Sequence, residues 1–160
     1  MRSLRVKDVM TSDVVATTGG NNLLEAAATM RARHVSGLPV IGEKGEVAGV
    51  LSEKDITRVL RQSQGLGSAR SLLDVVLEAA DEKTGNVSPK LVSAAHRLER
   101  VRVADAMTRE AVTVSPETSL FEAGKIMSTL RVNRLPVVRD GKLEGIVTRQ
   151  DVVAGLMKSI

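Results

Sequence analysis

The stretch GIVTRQD, residues 145–151, occurs in this chain a second time as GVLSEKD, residues 49–55. In both copies an apolar run ends at a hydroxyl residue, Thr148 or Ser52, and an aspartate follows three positions later. This pattern predicts a buried strand that leads directly into a helix, with the hydroxyl residue as N-cap and the aspartate completing a capping box. It also fits an anion site, because a helix N-terminus presents unpaired N–H groups and the positive end of a dipole.

The two motifs close the copies of a longer internal repeat. The leader Arg5–Thr11 matches Arg102–Thr108 in the pattern Arg-Val-x-Asp-x-Met-Thr, at a spacing of 97 residues (102 minus 5). The tripeptide Leu-Pro-Val recurs at 38–40 and 135–137 with the same spacing. Each copy predicts the order β-α-β-β-α after its leader, which places the chain in the α+β class.

Local signals within each copy support this order of elements. Asn22 and Ser119 each precede a glutamate at the third following position, and apolar residues at helical spacing come next. Residues 14–16 form a short apolar strand candidate in the first copy. In the second copy, Asp140-Gly141 between two apolar runs predicts a two-residue hairpin.

Residues 64–101 separate the copies and differ from them in character. Glycine and serine at 64–68 predict a flexible break, and Ser71 then begins an amphipathic helical pattern that runs to Ala80. Ser88 and Pro89 begin a second helix. Its apolar stripe consists of Leu91, Ala95 and Leu98. Isolated helices of this length are marginal in water, so docking within the chain and contact with another chain are both open. The predicted segments are 1–63, 64–101 and 102–160.

Composition excludes several classes of function. The 160 residues contain no cysteine and only two histidines, which argues against thiolate metal sites, cysteine nucleophiles and histidine-based catalysis. Phe121 is the only aromatic residue, so no aromatic platform for stacking bases can form. No apolar run approaches the ~20 residues of a membrane span. We therefore expect a cytoplasmic protein that is not an enzyme.

The duplicated unit, with its Leu-Pro-Val strand and its closing Gly-x-x-[Ser/Thr]-x-x-Asp motif, resembles the CBS-domain family. Two tandem copies look like the CBS pair known as a Bateman module, over about residues 1–62 and 102–160. The resemblance implies two repeats packed sheet to sheet with pseudo-twofold symmetry, here with an inserted helical segment. It also implies a regulatory module that binds AMP, ADP, ATP or S-adenosylmethionine in clefts between the repeats and signals to an unknown effector protein. Homodimers are common in this family.

The resemblance also implies roles for residues of this chain. The motif aspartate would hold a ribose diol and the hydroxyl would contact phosphate, which assigns Asp151 with Thr148 and Asp55 with Ser52. Further ligand contacts are implied in the second repeat at Thr113, Val114, Val132, Arg134 and Pro136, and in the first repeat at Thr17, Gly37 and Pro39.

The two predicted sites differ in charge. Arg134 and Arg149 place two cations beside the second motif, where the first repeat has Gly37 and Glu53, and Lys54 compensates only in part. We therefore predict that a phosphorylated ligand prefers the second repeat.

The middle segment offers an alternative function. Basic residues cluster near the end of its second helix, and they are Lys90, Arg97, Arg100 and Arg102. Such an edge could contact the phosphates of a nucleic acid, but Glu99 interrupts it, which favours a solvated helix face. Binding of nucleic acid is the alternative to the ligand sensor.

Overall fold

A computed structural model of the protein describes residues 4–62 and 89–159, which form a mixed α+β fold. The helices are α1 Leu23–Ala32, α2 Glu53–Arg61, α3 Pro89–Arg100, α4 Val103–Ala106, α5 Leu120–Leu130 and α6 Arg149–Lys158, and a 3-10 turn spans Val6–Asp8. The strands are β1 Thr17–Thr18, β2 Gly37–Ile41, β3 Val47–Ser52, β4 Thr108–Arg109, β5 Arg134–Arg139 and β6 Lys142–Thr148. The predicted α+β class is therefore confirmed.

The predicted helix starts are also confirmed. Asn22 accepts a hydrogen bond from the Glu25 backbone N–H at the start of α1, and Ser119 accepts one from Glu122 at the start of α5. The first strand, however, lies at Thr17–Thr18 and not at residues 14–16. The reason is its register, because β1 runs parallel to β2 with Thr17 opposite Val40.

The turn between β5 and β6 has the conformation that its sequence predicts. Asp140 and Gly141 both have positive φ angles, 51° and 77°, as a two-residue hairpin with the right-handed twist of the strands requires. The strands pair antiparallel from Arg134 opposite Thr148 to Arg139 opposite Lys142, with a register shift between Val137 and Val138.

The described residues fall into two compact units. The first-repeat unit contains residues 15–42, 48–62 and 89–109, and the second-repeat unit contains residues 4–14, 43–47 and 110–159. Each unit therefore includes the leader of the other sequence repeat. The predicted boundaries at 63/64 and 101/102 stay predictions, since the predicted break at 64–68 and the helix from Ser71 lie outside the described residues.

Both leaders pair with the sheet of their unit, one as the two-residue strand β4 and the other through an isolated bridge at Thr11. Thr11 exchanges two backbone hydrogen bonds of 2.9 Å with Ile146 of β6. In the first-repeat unit, β4 pairs antiparallel with β3, with Thr108 opposite Val50. Val114 forms a parallel bridge to Val137 of β5. The first sheet has the order β1-β2-β3-β4. In the second-repeat unit, Val114, β5, β6 and Thr11 take the corresponding places.

Glycines of the closing motifs allow the leaders to approach this closely. A Cβ on Gly49 would lie 2.5 Å from the carbonyl oxygen of Thr108 and 3.0 Å from the sulfur of Met107. A Cβ on Gly145 would lie 2.7 Å from the sulfur of Met10 and 3.0 Å from the Thr11 carbonyl oxygen. The Met-Thr of each leader and the glycine of each motif are therefore two halves of one contact.

Each unit has its own apolar core. In the first-repeat unit, Leu23, Met30, Leu38, Leu51 and Ile56 are buried together with the α3 residues Ala94, Ala95 and Leu98. Helix α3 packs against both α1 and α2. The predicted stripe on α3 therefore docks within the chain, with Leu91 half-buried at its edge. The second core is built on Val6, Leu120, Met127, Leu135 and Val147.

Substitution of the motif glycines tests the leader contacts. We expect Gly49→Ala to lower the free energy of unfolding by about 1–3 kcal/mol, because the new methyl group meets backbone that must shift. We expect Gly145→Ala to cost less, because its nearest atom belongs to the flexible side chain of Met10. Urea unfolding followed by circular dichroism measures both. Gly20→Ala is the control, since no atom lies within 4 Å of its Cβ position; equal stability of all three variants would contradict the prediction.

Candidate functional site

The closing motif of the second repeat forms a complete capping box at the start of α6. Asp151 Oδ2 accepts hydrogen bonds from the Thr148 backbone N–H at 2.8 Å and from the Thr148 hydroxyl at 2.7 Å. The Asp151 backbone N–H donates to the same hydroxyl at 3.2 Å. Ser52 and Asp55 repeat this arrangement at the start of α2, with distances of 2.8, 2.9 and 3.4 Å. The capping interpretation of both motifs is therefore confirmed.

These boxes limit what each motif can offer to a ligand. A threonine hydroxyl carries one hydrogen, and that of Thr148 is donated to Asp151. The Arg149 backbone N–H is bonded to the Asn133 carbonyl at 2.8 Å, and that of Glu53 to the Ser36 carbonyl at 3.0 Å. In this arrangement the hydroxyl has only lone pairs to offer, so the implied contact to phosphate requires the hydroxyl to turn away from the aspartate.

The structure brings most of the second-repeat residues named from the sequence to one end of the β5–β6 hairpin. Arg134 lies directly opposite Thr148 in the ladder, and Asn133 joins the same end through its bond to Arg149. Pro136 is buried two residues further along β5 and accepts a bond of 3.0 Å from the Val114 N–H. Residues 132–134, the motif and the segment 113–114 are thus connected through one sheet. The side chain of Val114 is buried in the core, whereas Thr113 is exposed.

The guanidinium of Arg149 has partners that the sequence did not indicate. Its Nε donates to the side-chain oxygen of Asn133 at 3.1 Å. Its Nη2 donates to the carbonyl oxygens of Met127 and Val132, each at 3.2 Å. Arg149 therefore closes the C-terminal end of α5, where carbonyl groups lack helical partners. Its role toward an anion stays a prediction.

The first-repeat motif differs in the partner of its carboxylate. Asp55 is buried, and its Oδ1 accepts a hydrogen bond of 3.0 Å from Arg58 Nη2. The same Nη2 donates to the Ala106 carbonyl oxygen at 3.2 Å. Ala154 occupies the position three residues after Asp151, so the second repeat has no arginine at that place. The sequence contains this difference three residues after each aspartate, just outside the repeated motif.

The other first-repeat residues named from the sequence lie on neighbouring strands. Thr17 is buried, and its hydroxyl accepts a hydrogen bond of 3.1 Å from the Asn21 side chain. Gly37 and Pro39 are buried in β2, the strand beside β1, whereas Lys54 is exposed at the start of α2. Thr17, Gly37 and Pro39 therefore share one sheet, and Lys54 lies beside Asp55 on the adjoining helix.

Helix α3 carries two of the predicted basic residues along a groove of about 710 Å³. The groove is lined by Pro89, Val92, Ser93, His96, Arg97, Arg100 and Val101. Lys90 and Arg102 are exposed. The Nδ1 atom of His96 lies 3.3 Å from Oε2 of Glu99. Association with nucleic acid stays a prediction.

The described residues contain neither a candidate metal centre nor a candidate membrane span. Within residues 4–62 and 89–159, no three acidic or histidine side chains come together as a metal site would require. In the same part of the chain, no helix combines the length and the apolar character needed to cross a membrane.

The duplicated α+β units, each with an aspartate at a helix N-terminus, define a tandem-repeat module. The family model of the CBS domain matches the chain twice, over residues 6–62 and 103–158. The chain therefore belongs to the CBS-domain family, as the closing motifs and the Leu-Pro-Val strands predict.

Known proteins resemble the chain over most of its length. An uncharacterised protein of Methanocaldococcus jannaschii is 30% identical over 158 residues, which cover 95% of this chain and 90% of that protein. The CBS domain of a membrane protein from Sphaerobacter thermophilus superposes with a TM-score of 0.74 at 25% identity, covering 96% of this chain and 88% of the other. The protein CBSX2, solved in complex with AMP, has a TM-score of 0.70 and 27% identity, with 96% and 97% covered.

Arg149→Ala tests the structural role of this arginine. We expect the free energy of unfolding without ligand to fall by about 1–2 kcal/mol, because the variant loses three hydrogen bonds from a charged group at an exposed position. Thermal unfolding in ligand-free buffer measures the effect. Gln150→Ala, at the neighbouring exposed position of α6, is the matched control. Unchanged stability of Arg149→Ala would show that these bonds contribute nothing.

Proposed function

We propose that the protein is a regulatory module that binds an adenosine-containing ligand at the closing motif of its second repeat. The ligand class comprises AMP, ADP, ATP and S-adenosylmethionine. The observation that carries the proposal is the state of the two motif carboxylates, since Arg58 pairs with Asp55 while Ala154 leaves no such partner for Asp151. The AMP complex of CBSX2, at 27% identity over nearly the whole chain, supports the choice of ligand class.

The chemistry of the second motif suits a ribose diol. A carboxylate has two oxygens and about four acceptor positions, and the capping box occupies Oδ2 with two hydrogen bonds. Oδ1 is the oxygen that the first repeat uses for Arg58, and in the second repeat we assign it to the hydroxyls of the ligand. Arg134 lies opposite Thr148 at the end of the hairpin. We assign its positive charge to the phosphate of the ligand.

Signalling in this proposal needs no chemical step. A ligand shifts an equilibrium between two conformations, or between association states, in proportion to its difference in affinity for them. An effector protein that recognises one of these states then reads the ligand concentration. The effector, the cytoplasmic location and the absence of enzymatic activity stay predictions.

Asp151→Asn is the central test. The amide oxygen can still accept the bond from the Thr148 N–H, so the variant keeps part of the cap while it loses the carboxylate. We expect affinity for the adenosine ligand to fall about tenfold or more, since a hydrogen bond to a charged group is worth about 1.5–3 kcal/mol. Isothermal titration with AMP, ATP and S-adenosylmethionine measures it. Asp55→Asn makes the same change in the first repeat and should leave affinity nearly unchanged.

Two results would contradict the proposal. One is the absence of binding to wild-type protein by every ligand of the class, combined with the absence of an adenine band near 260 nm in purified protein. The chain has no tryptophan or tyrosine, so such a band would stand out clearly. The other is equal loss of affinity in the Asp151→Asn and Asp55→Asn variants, which would show that the second motif has no special role.

Arg58→Ala tests the difference between the repeats. We expect wild-type protein to bind one ligand per chain with high affinity, because the Asp55 carboxylate is already paired. Removal of the guanidinium should make a second ligand detectable in the titration. Arg61→Ala, which removes another exposed arginine from α2, is the control. A stoichiometry that stays at one in Arg58→Ala would show that the ion pair does not close the first motif.

A further inference from the structure

One residue, Arg149, joins three segments of the second-repeat unit. Its Nη2 donates at 3.2 Å to the carbonyl oxygens of Met127, in the last turn of α5, and of Val132. Its Nε donates to Oδ1 of Asn133 at 3.1 Å, and its backbone N–H donates to the Asn133 carbonyl oxygen at 2.8 Å. We call the three side-chain hydrogen bonds the Arg149 clamp. They hold the end of α5 and the turn that follows it against the start of α6.

The first repeat forms the same backbone turn. His34 and Arg131, at the spacing of 97 residues, both have positive φ angles, 53° and 55°. In each repeat the next backbone N–H donates at 3.0 Å to the carbonyl oxygen of a methionine in the preceding helix, Met30 or Met127. The two turns therefore have the same backbone conformation and the same bond to the helix end.

The clamp, however, belongs to the second repeat alone. Glu53 occupies the position of Arg149 in the first repeat, and its backbone N–H makes the equivalent bond to the Ser36 carbonyl oxygen at 3.0 Å. An ionised carboxylate has no hydrogen to donate, so the Glu53 side chain cannot bind the carbonyl oxygens at the helix end. Since the first repeat forms the turn without these bonds, the Arg149 clamp holds more firmly a turn that the backbone already forms.

The clamped turn leads directly into residues that we assign to the ligand. Arg134 follows Asn133 and lies opposite Thr148 in the ladder. Thr148 in turn shares its capping box with Asp151. Asn133 is bonded through both its side chain and its carbonyl oxygen, one residue before the cation assigned to the phosphate. A group that is held in its binding position before the ligand arrives loses less conformational freedom on binding, which raises affinity.

We infer that Arg149 is a positioning residue of the second-repeat site, which acts on the phosphate of the ligand through Arg134. The inference rests on the proposed function, because it concerns the ligand bound at Asp151. The guanidinium of Arg149 donates to three oxygen atoms of the protein. Its planar fork is used to fix the turn, and the turn presents Arg134 beside Thr148.

Isothermal titration of the full chain with AMP and with adenosine tests the inference, because adenosine lacks only the phosphate. We expect Arg149→Ala to weaken AMP binding about fivefold to tenfold and adenosine binding by less than about twofold. Arg149→Lys keeps the positive charge but loses the fork that reaches three oxygens, so it should bind AMP as weakly as Arg149→Ala. Circular dichroism at the titration temperature verifies that each variant is folded.

A double-mutant cycle shows whether Arg149 acts through Arg134. Once Arg134→Ala has removed the cation, we expect the further change Arg149→Ala to cause no additional loss of AMP affinity. Gln150→Ala is the matched control, since Gln150 is the neighbouring exposed residue of α6. It should bind AMP and adenosine as the wild-type chain does.

Three results would overturn the inference while the proposed function stands. Wild-type AMP affinity in Arg149→Lys would show that charge alone suffices. Equal losses for AMP and adenosine in Arg149→Ala would indicate a general disturbance of the repeat. Additive losses in the double variant would show that the two arginines act independently. A wild-type chain that binds neither AMP nor adenosine would instead contradict the proposed function, and the inference would fall with it.

Discussion

Backbone pairing between each leader and the sheet that receives it is the contact on which both units depend. Thr11 closes the edge of β6, and β4 closes the edge of β3. An unpaired strand edge exposes a row of donors and acceptors that invites pairing with other chains. Glycine at 49 and 145 is required because the leader backbone passes within van der Waals distance of the Cβ position. A fragment that contains one sequence repeat alone would therefore lack the leader that pairs with its own sheet.

The leader of the second-repeat unit is also held by charged side chains. Lys7 and Arg5 both reach Glu117, at 2.8 and 2.7 Å. The hydrogen bond from Lys7, reinforced by Arg5, keeps the pKa of the Glu117 carboxyl below its ordinary value. These groups are exposed, so the backbone bonds from Val6 to Thr118 and from Lys7 to Pro116 fix the position more firmly than the ion pairs do. The charges orient a segment that the backbone already anchors.

Much of the local structure follows from short-range patterns, and the departures follow from long-range ones. The caps at Asn22, Ser52 and Thr148, the Asp140-Gly141 turn and the stripe on α3 depend on neighbouring residues, so the sequence predicts them. The exchange of leaders is invisible because the two leaders carry the same motif, and either assignment satisfies the pattern. The partners of Arg149 are invisible in the sequence for a related reason, since its long side chain reaches carbonyl groups more than fifteen residues away in the chain.

The closing motifs alone do not tell which repeat binds a ligand. Both closing motifs form the same capping box, so the box alone does not distinguish a ligand site from a helix start. The distinction lies in the second carboxylate oxygen, and therefore in Arg58 and Ala154, which stand outside the motif. The sequence placed the charge difference at Arg134 and Arg149. The contacts of Asp55 with Arg58 place a further difference one helical turn later.

The repeats differ in the partner of the motif carboxylate and in the helix that packs on the helix pair. In the first repeat, the carboxylate is paired with Arg58 and the helix face is covered by α3, so both features are satisfied within the unit. In the second repeat, Asp151 at the start of α6 and the exposed Val153 and Met157 belong to one continuous helix. A ligand held at the start of this helix would favour the helix position that binds it better, in proportion to the difference in affinity between the two positions.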